Sequence, residues 1–117
     1  MVAKLAQLAV ASVEHPIQVS IHLLILDQGG DRSHSLLQLA RLGPRAVEAV
    51  PKLSSLLTAQ RPLERYLAAN ALESIGPAAA EAVPALRQGL QDADPVVREA
   101  VAETLKRIED MVRRVSR

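Results

Sequence analysis

Three histidines, His15, His22 and His34, are the only imidazoles in a chain that contains no cysteine. They are therefore its only nitrogen or sulfur ligands for a zinc-like ion. None stands in a His-Glu-x-x-His pattern, and Glu14-His15 has that motif's first pair in the wrong order. The stretch "RSHS", Arg32 to Ser35, sets serines beside His34. A nucleophilic serine needs a base within hydrogen-bond reach, but adjacent residues of a helix point to different faces. His34 is expected to be an exposed helix residue. Asp27 and Asp31 flank Gly29-Gly30 and invite a cation loop. The twelve-residue calcium pattern is absent, and a glycine-rich turn with Asp31 capping the next helix accounts for the same residues. No phosphate-cradling glycine motif and no paired carboxylates complete the set. The expectation is a protein that is not an enzyme, with no catalytic residue, no metal and no cofactor.

The elements that would position any site are written in the rest of the chain. Its 117 residues suffice for one domain, read as 1–117. Apolar residues make up 49 % of the chain, yet Tyr66 is the only aromatic, so the core must be aliphatic and rich in alanine, the best helix former. Fourteen basic residues against thirteen acidic ones leave no global field to recruit nucleic acid or an anionic membrane. Lys4 precedes "LAQLAVASV", which is too weakly basic and too short for a signal peptide and reads as a first helix. No apolar stretch reaches the ~18–20 residues that span a bilayer. A cytoplasmic location, without membrane or nucleic-acid partners, is expected.

"LGPRAVEAVP", Leu42 to Pro51, returns as "IGPAAAEAVP", Ile75 to Pro84, a shift of 33 residues. The same shift carries Pro44, Pro51 and Pro62 onto Pro77, Pro84 and Pro95. It links Arg32, Arg65 and Arg98, then Leu39, Leu72 and Leu105, then Leu42, Ile75 and Ile108. Breakers recurring in register mean turns recurring in register, the signature of a stacked repeat protein.

Each unit reads as two helices. Leu63, Leu67, Leu72 and Ile75 mark one apolar stripe, and Val83, Leu86 and Leu90 mark another. Gly76-Pro77 ends a helix, while Asp94-Pro95 starts one with a cap and a proline that loses nothing at the first position. Pro51 and Pro84 imply a short turn over 45–50 and a helix that kinks or starts afresh near Pro51. The last helix, about Val96 to Val115, carries its stripe at Val97, Val101, Leu105, Ile108, Val112 and Val115 and acid-before-base pairs such as Glu103–Arg107 outside. It reads as a polar cap extending to residue 117. The implied units are a degenerate one at 1–42, then about 43–75 and 76–109. Residues 3–13 and Pro16 to Leu26 are apolar on most faces, so a homodimer through these N-terminal helices is a possible partner arrangement.

"GPRAVEAVPKLSSLL", "GPAAAEAVPALRQGL" and "DADPVVREAVAETLKRI" resemble HEAT repeats, in particular the bacterial HEAT-like repeats found also in phycobilisome lyases. The resemblance runs from Arg32 to Ile108. It implies an all-α, right-handed α-α superhelix (a HEAT-like solenoid) of about three and a half helical-hairpin repeats. It implies further a non-catalytic protein–protein interaction scaffold, its second helices lining the concave side. On those helices the positions of the non-core face are Ser33, Leu37 and Ala40, then Tyr66, Asn70 and Glu73, then Glu99, Glu103 and Lys106, with Arg107 beside them. Tyr66, Asn70, Glu73, Glu99, Glu103, Lys106 and Arg107 are the candidate partner-binding residues, and Tyr66 is the anchor candidate. Repeats of this kind place an Asp six residues before the Arg of the second helix. Asp92 and Arg98 keep that spacing, whereas Arg65 has Ala59 and Arg32 has Leu26, which predicts an incomplete polar ladder between repeats. Two other readings are an accessory or truncated phycobilisome-lyase-like protein and a structural fragment of a longer array. HEAT-like DNA glycosylases and deoxyhypusine hydroxylases are poorer comparisons, lacking here the basic aromatic groove and the His-Glu motifs.

Overall fold

A computed structural model describes residues 18–28 and 31–115. Residues 18–28 are helical (α1), followed by α2 (Ser33–Leu42), a 3-10 segment (Gly43–Ala49), α3 (Val50–Leu56), α4 (Pro62–Ile75), a second 3-10 segment (Gly76–Ala82), α5 (Val83–Gly89) and α6 (Pro95–Val115). No strand occurs among the described residues. The second helices α2, α4 and α6 pack side by side, α3 packs on α4, and α5 packs on α6. The result is the all-α stack of helical hairpins expected from the sequence. The apolar stretch 3–13 lies outside the described residues.

The breakers act as their chemistry requires. Gly43 and Gly76 take φ of +58° and +80°, a region that L side chains avoid, and their N–H groups close onto Ala40 and Leu72 carbonyls. Space is not the constraint, since a Cβ on Gly76 would meet the Met111 side chain at ordinary contact distance, Sδ at 3.7 Å and Cε at 3.9 Å. Ala46 and Ala79, at φ near −90° and ψ of 21° and 15°, then break each 3-10 segment in register. Pro51 and Pro84 fall in the first turn of α3 and α5, where a missing N–H costs nothing, so these helices start afresh there. Asp94 caps α6 by accepting the Val96 N–H at 2.8 Å. Asp31 accepts the Ser33 N–H at 3.0 Å at the start of α2.

Fully buried alanines, Ala46, Ala49, Ala68, Ala69, Ala71, Ala79 and Ala82, line the seams, and a lone Cβ lets neighbouring backbones approach closely. Leu36, Leu39, Leu53, Leu72, Ile75, Leu86, Val97, Val101 and Ile108 fill the rest. Several stripe positions read from the sequence fall outside this core. Leu63 is 56 % exposed because it lies off the edge of the buried face of α4, and Glu64 takes the buried place. Leu90 and Val115 are exposed, and Thr104 is buried where Leu105 is only partly so.

The polar ladder is fuller than the sequence spacing implied. Arg32 Nε donates to the Leu26 carbonyl at 3.0 Å, Arg65 Nη1 to the Ala59 carbonyl at 2.7 Å, and Arg98 Nη1 to the Asp92 carbonyl at 2.7 Å. All three arginines thus grip the backbone six residues upstream, and a carbonyl serves whatever side chain it carries. Two of them also reach the next hairpin. Arg65 forks onto Asp92, with Nε to Oδ2 at 2.7 Å and Nη2 to Oδ1 at 3.0 Å, the two side chains being 14 % and 7 % exposed. Arg32 reaches the buried Glu64 at 3.3 Å, whose second carboxylate oxygen is buried with no hydrogen-bond partner among the described residues.

Burial alone would raise the Asp92 carboxyl. The Arg65 hydrogen bonds, the Asp94 N–H and the charges of Arg65 and Arg98 outweigh it and hold the group below the ordinary aspartate value of 3.8. A lowered folded-state value means that the unfolded chain binds the proton more readily. The Asp92 contribution is therefore present above the unfolded value and lost as pH falls through the folded one. In urea unfolding the Asp92 contribution to stability should be constant from about pH 7 to 5 and fall away below about pH 4. Asp92→Ala, which strands the Arg65 guanidinium, should cost about 3 kcal/mol at neutral pH and flatten part of the acid limb.

Candidate functional site

The apposition of α4 and α6 leaves an open groove of ≈ 370 Å³ lined by Tyr66, Asn70, Glu73, Val96, Glu99, Ala100 and Glu103. Tyr66, Asn70 and Glu73, four and three residues apart, share one face of α4. Glu99 and Glu103 stand one turn apart on α6. The ladder and the alanine seam behind the groove fix how these two helices face each other. Five of the seven residues expected on the partner-binding face thus line one groove.

The sixth, Arg107, closes one end of it. Its Nη1 lies 3.1 Å from Glu73 Oε1 and its Nε 3.1 Å from Glu103 Oε1. Lys106 is elsewhere, lining the opposite flank of α6 with Ala102, Leu105 and Glu109. Seven residues fall about 20° short of two full helical turns, which sets Lys106 on the side of Glu99 away from Glu103 and over the crest. On the N-terminal side the same face continues onto α2, where Leu37, Gln38, Ala40 and Arg41 line a second open depression.

Thr104 is a member of the site that sequence reasoning missed. Its buried hydroxyl lies 3.2 Å from the Ala69 carbonyl and 3.3 Å from Glu73 Oε2, so one proton is shared between α4 backbone and a groove carboxylate. Thr104 and Arg107 together hold Glu73 in place. Periodicity put Leu105 in the stripe and gave no cue that the residue before it was the buried one. Three groove side chains remain uncommitted: among the described residues, the Tyr66 hydroxyl, the Asn70 amide and the Glu99 carboxylate make no hydrogen bond or ion pair. The Tyr66 ring packs partly against the core while it lines the groove, so it covers the stack and faces outward at once.

The histidines and aspartates take other roles. His15 lies outside the described residues. His22 Nδ1 lies 3.1 Å from Ser35 Oγ on α2, and its ring stands edge-on to His34 at 6.4 Å between centroids. Sequence neighbours cannot make that serine–imidazole contact, but two packed helices can. Ser35 is 1 % exposed, so the pair ties α1 to α2 instead of offering a nucleophile to a substrate. Burial, and then the charge of His34, hold His22 below the ordinary imidazole value and favour its neutral form. Asp27 pairs with Lys52 at 2.6 Å. Among the described residues, no group of three or more His, Cys, Asp or Glu is placed to hold a metal ion.

The family model described as HEAT repeats matches residues 50–115, more than half of the chain. The chain belongs to the HEAT-repeat family. Comparison with curated proteins and with solved structures returned no match. The matched segment holds the whole groove, with α4 and α6 as the second helices of two successive HEAT repeats. HEAT repeats commonly serve as protein-interaction scaffolds. None of the helices in the described residues is long and apolar enough to cross a membrane.

Thr104→Val keeps the shape of the buried side chain and removes its proton. It should cost about 1 kcal/mol in urea unfolding, the usual net value of one hydrogen bond.

Proposed function

We propose that this HEAT-repeat chain is a non-catalytic scaffold that binds a partner protein on the concave face built by α2, α4 and α6. One observation carries the reading: three polar tips in a single groove, on Tyr66, Asn70 and Glu99, have no partner within the described residues. Polar groups that serve the fold are hydrogen-bonded, as the Arg65–Asp92 fork and Thr104 are. Groups left open beside a part-buried aromatic ring have the composition of an interface: a large amphipathic anchor with adaptable hydrogen bonding around it. Leu37 and Arg41 on α2 extend the same face and enlarge the area available to a partner.

Binding energy at such surfaces concentrates in a few central residues, and truncating them removes affinity without removing a fold that does not use them. Tyr66→Ala, Asn70→Ala and Glu103→Ala combined should abolish partner capture from a lysate of the source cell. The fold should persist, with the melting temperature falling by about 4 °C for each kcal/mol lost, chiefly from the part-buried Tyr66 ring. An unchanged set of captured proteins would contradict the reading.

A further inference from the structure

The groove is charged unevenly. Glu73, Glu99 and Glu103 line it, and among the described residues the cation paired with them is Arg107, the chain's own guanidinium seated on Glu73 and Glu103 at 3.1 Å each. Glu99, one turn before Glu103, is paired with no cation among the described residues. Beside it lie the two other uncommitted groups. The Tyr66 ring offers a face to a cation. The Asn70 amide presents a donor and an acceptor together, the pair of functions that a peptide bond also presents.

Spacing limits what fits. Glu99 and Glu103 are separated along α6 by four residues, about 6 Å at 1.5 Å per residue. In an extended chain, alternate side chains point the same way and recur every ~6.6 Å. A strand-like segment laid along α6 would therefore bring residues i and i+2 opposite the two carboxylates in turn. A helical segment could match the same spacing with residues i and i+4, but its backbone amides are bonded internally and leave none for Asn70.

We propose that the groove between α4 and α6 takes an extended segment of the partner with two cationic side chains at alternate positions, one on Glu99 beside Tyr66 and one on Glu103. The inference rests on the protein-binding reading and specifies the partner's chemistry. Arg107 is then a built-in competitor: it keeps the second carboxylate neutralised in the free protein and must be displaced when the partner cation arrives. This gives Arg107 and Glu99 effects of opposite sign, which a structural role for either residue does not.

The test uses the full chain, labelled with nitrogen-15 and titrated with three capped peptides, Ala-Arg-Ala-Arg-Ala and the same sequence with Glu or Leu in place of Arg. The arginine peptide should shift the backbone amides of Tyr66, Asn70 and Ala100, and added salt should weaken it. Glu99→Gln should weaken it about 2- to 5-fold, the range expected of an exposed ion pair, and Arg107→Gln should tighten it by a similar factor. Equal shifts from the leucine or glutamate peptide would overturn the cationic specificity while leaving a protein-binding groove. An arginine peptide that shifts no groove amide, or that binds Arg107→Gln no better than wild type, would also overturn it. Partner capture by the Tyr66/Asn70/Glu103 triple variant is a separate readout, so the scaffold reading stands or falls independently.

Discussion

The structure depends on a guanidinium that binds backward and forward at once. Arg65 and Arg98 sit in the opening turn of a second helix and Arg32 immediately precedes one, and each donates to a carbonyl six residues earlier, closing its own hairpin. Arg65 and Arg32 then use their remaining N–H groups on a carboxylate of the next hairpin. One planar, permanently charged group with five donors serves both tasks, and a lysine has no such fork. The Arg65 fork is nearly enclosed, so its charge-assisted bonds act in a low dielectric and are screened little by salt. It locks α4 to the turn before α6, and the groove lies between those two helices.

The rest of the repeat supplies what such a lock needs. Gly43 and Gly76 turn the chain with backbone angles only glycine takes readily, and the prolines that follow set where the next helix begins. The buried alanines bring the seams close enough for one arginine to span two hairpins. Where the period lapses, the chain departs from the pattern. Glu64 occupies a buried position that Val97 fills in the following repeat, and among the described residues its charge is paired with Arg32. On α1, Leu24 is 62 % exposed and Ile21 48 %, so that helix keeps an apolar outer face while Val19 and Leu26 turn inward.

Much of this architecture is legible in the residues themselves, because glycine and proline act through their own covalent geometry. The turns at Gly43 and Gly76, the fresh helix starts at Pro51 and Pro84, and the Asp94 cap follow from residue type and spacing alone. Five groove residues follow from helical periodicity together with the family resemblance. The failures also have physical causes. A ladder sought as an Asp six residues before an Arg misses Ala59 and Leu26, because the acceptor is the backbone carbonyl and leaves no trace in residue type. Spacing of four and then three residues groups Lys106 with Glu99 and Glu103, but the seven residues stop about 20° short of two turns. Thr104 lies in the interior because its hydroxyl finds two acceptors, a fact that belongs to α4 and not to the local sequence. The Ser35–His22 pair spans two helices and cannot be read from neighbours along one.

The central claim is that the Arg65 fork holds the α4–α6 groove in one shape. The chain has no cysteine, so spin labels at Ser74→Cys and Arg113→Cys, both exposed, would report that geometry without further change. Pulsed electron-spin resonance on this pair should give one narrow distance distribution in the otherwise wild-type chain. With Arg65→Lys added, where the fork is lost, the distribution should broaden or shift. An identical narrow distribution in both proteins would contradict the account.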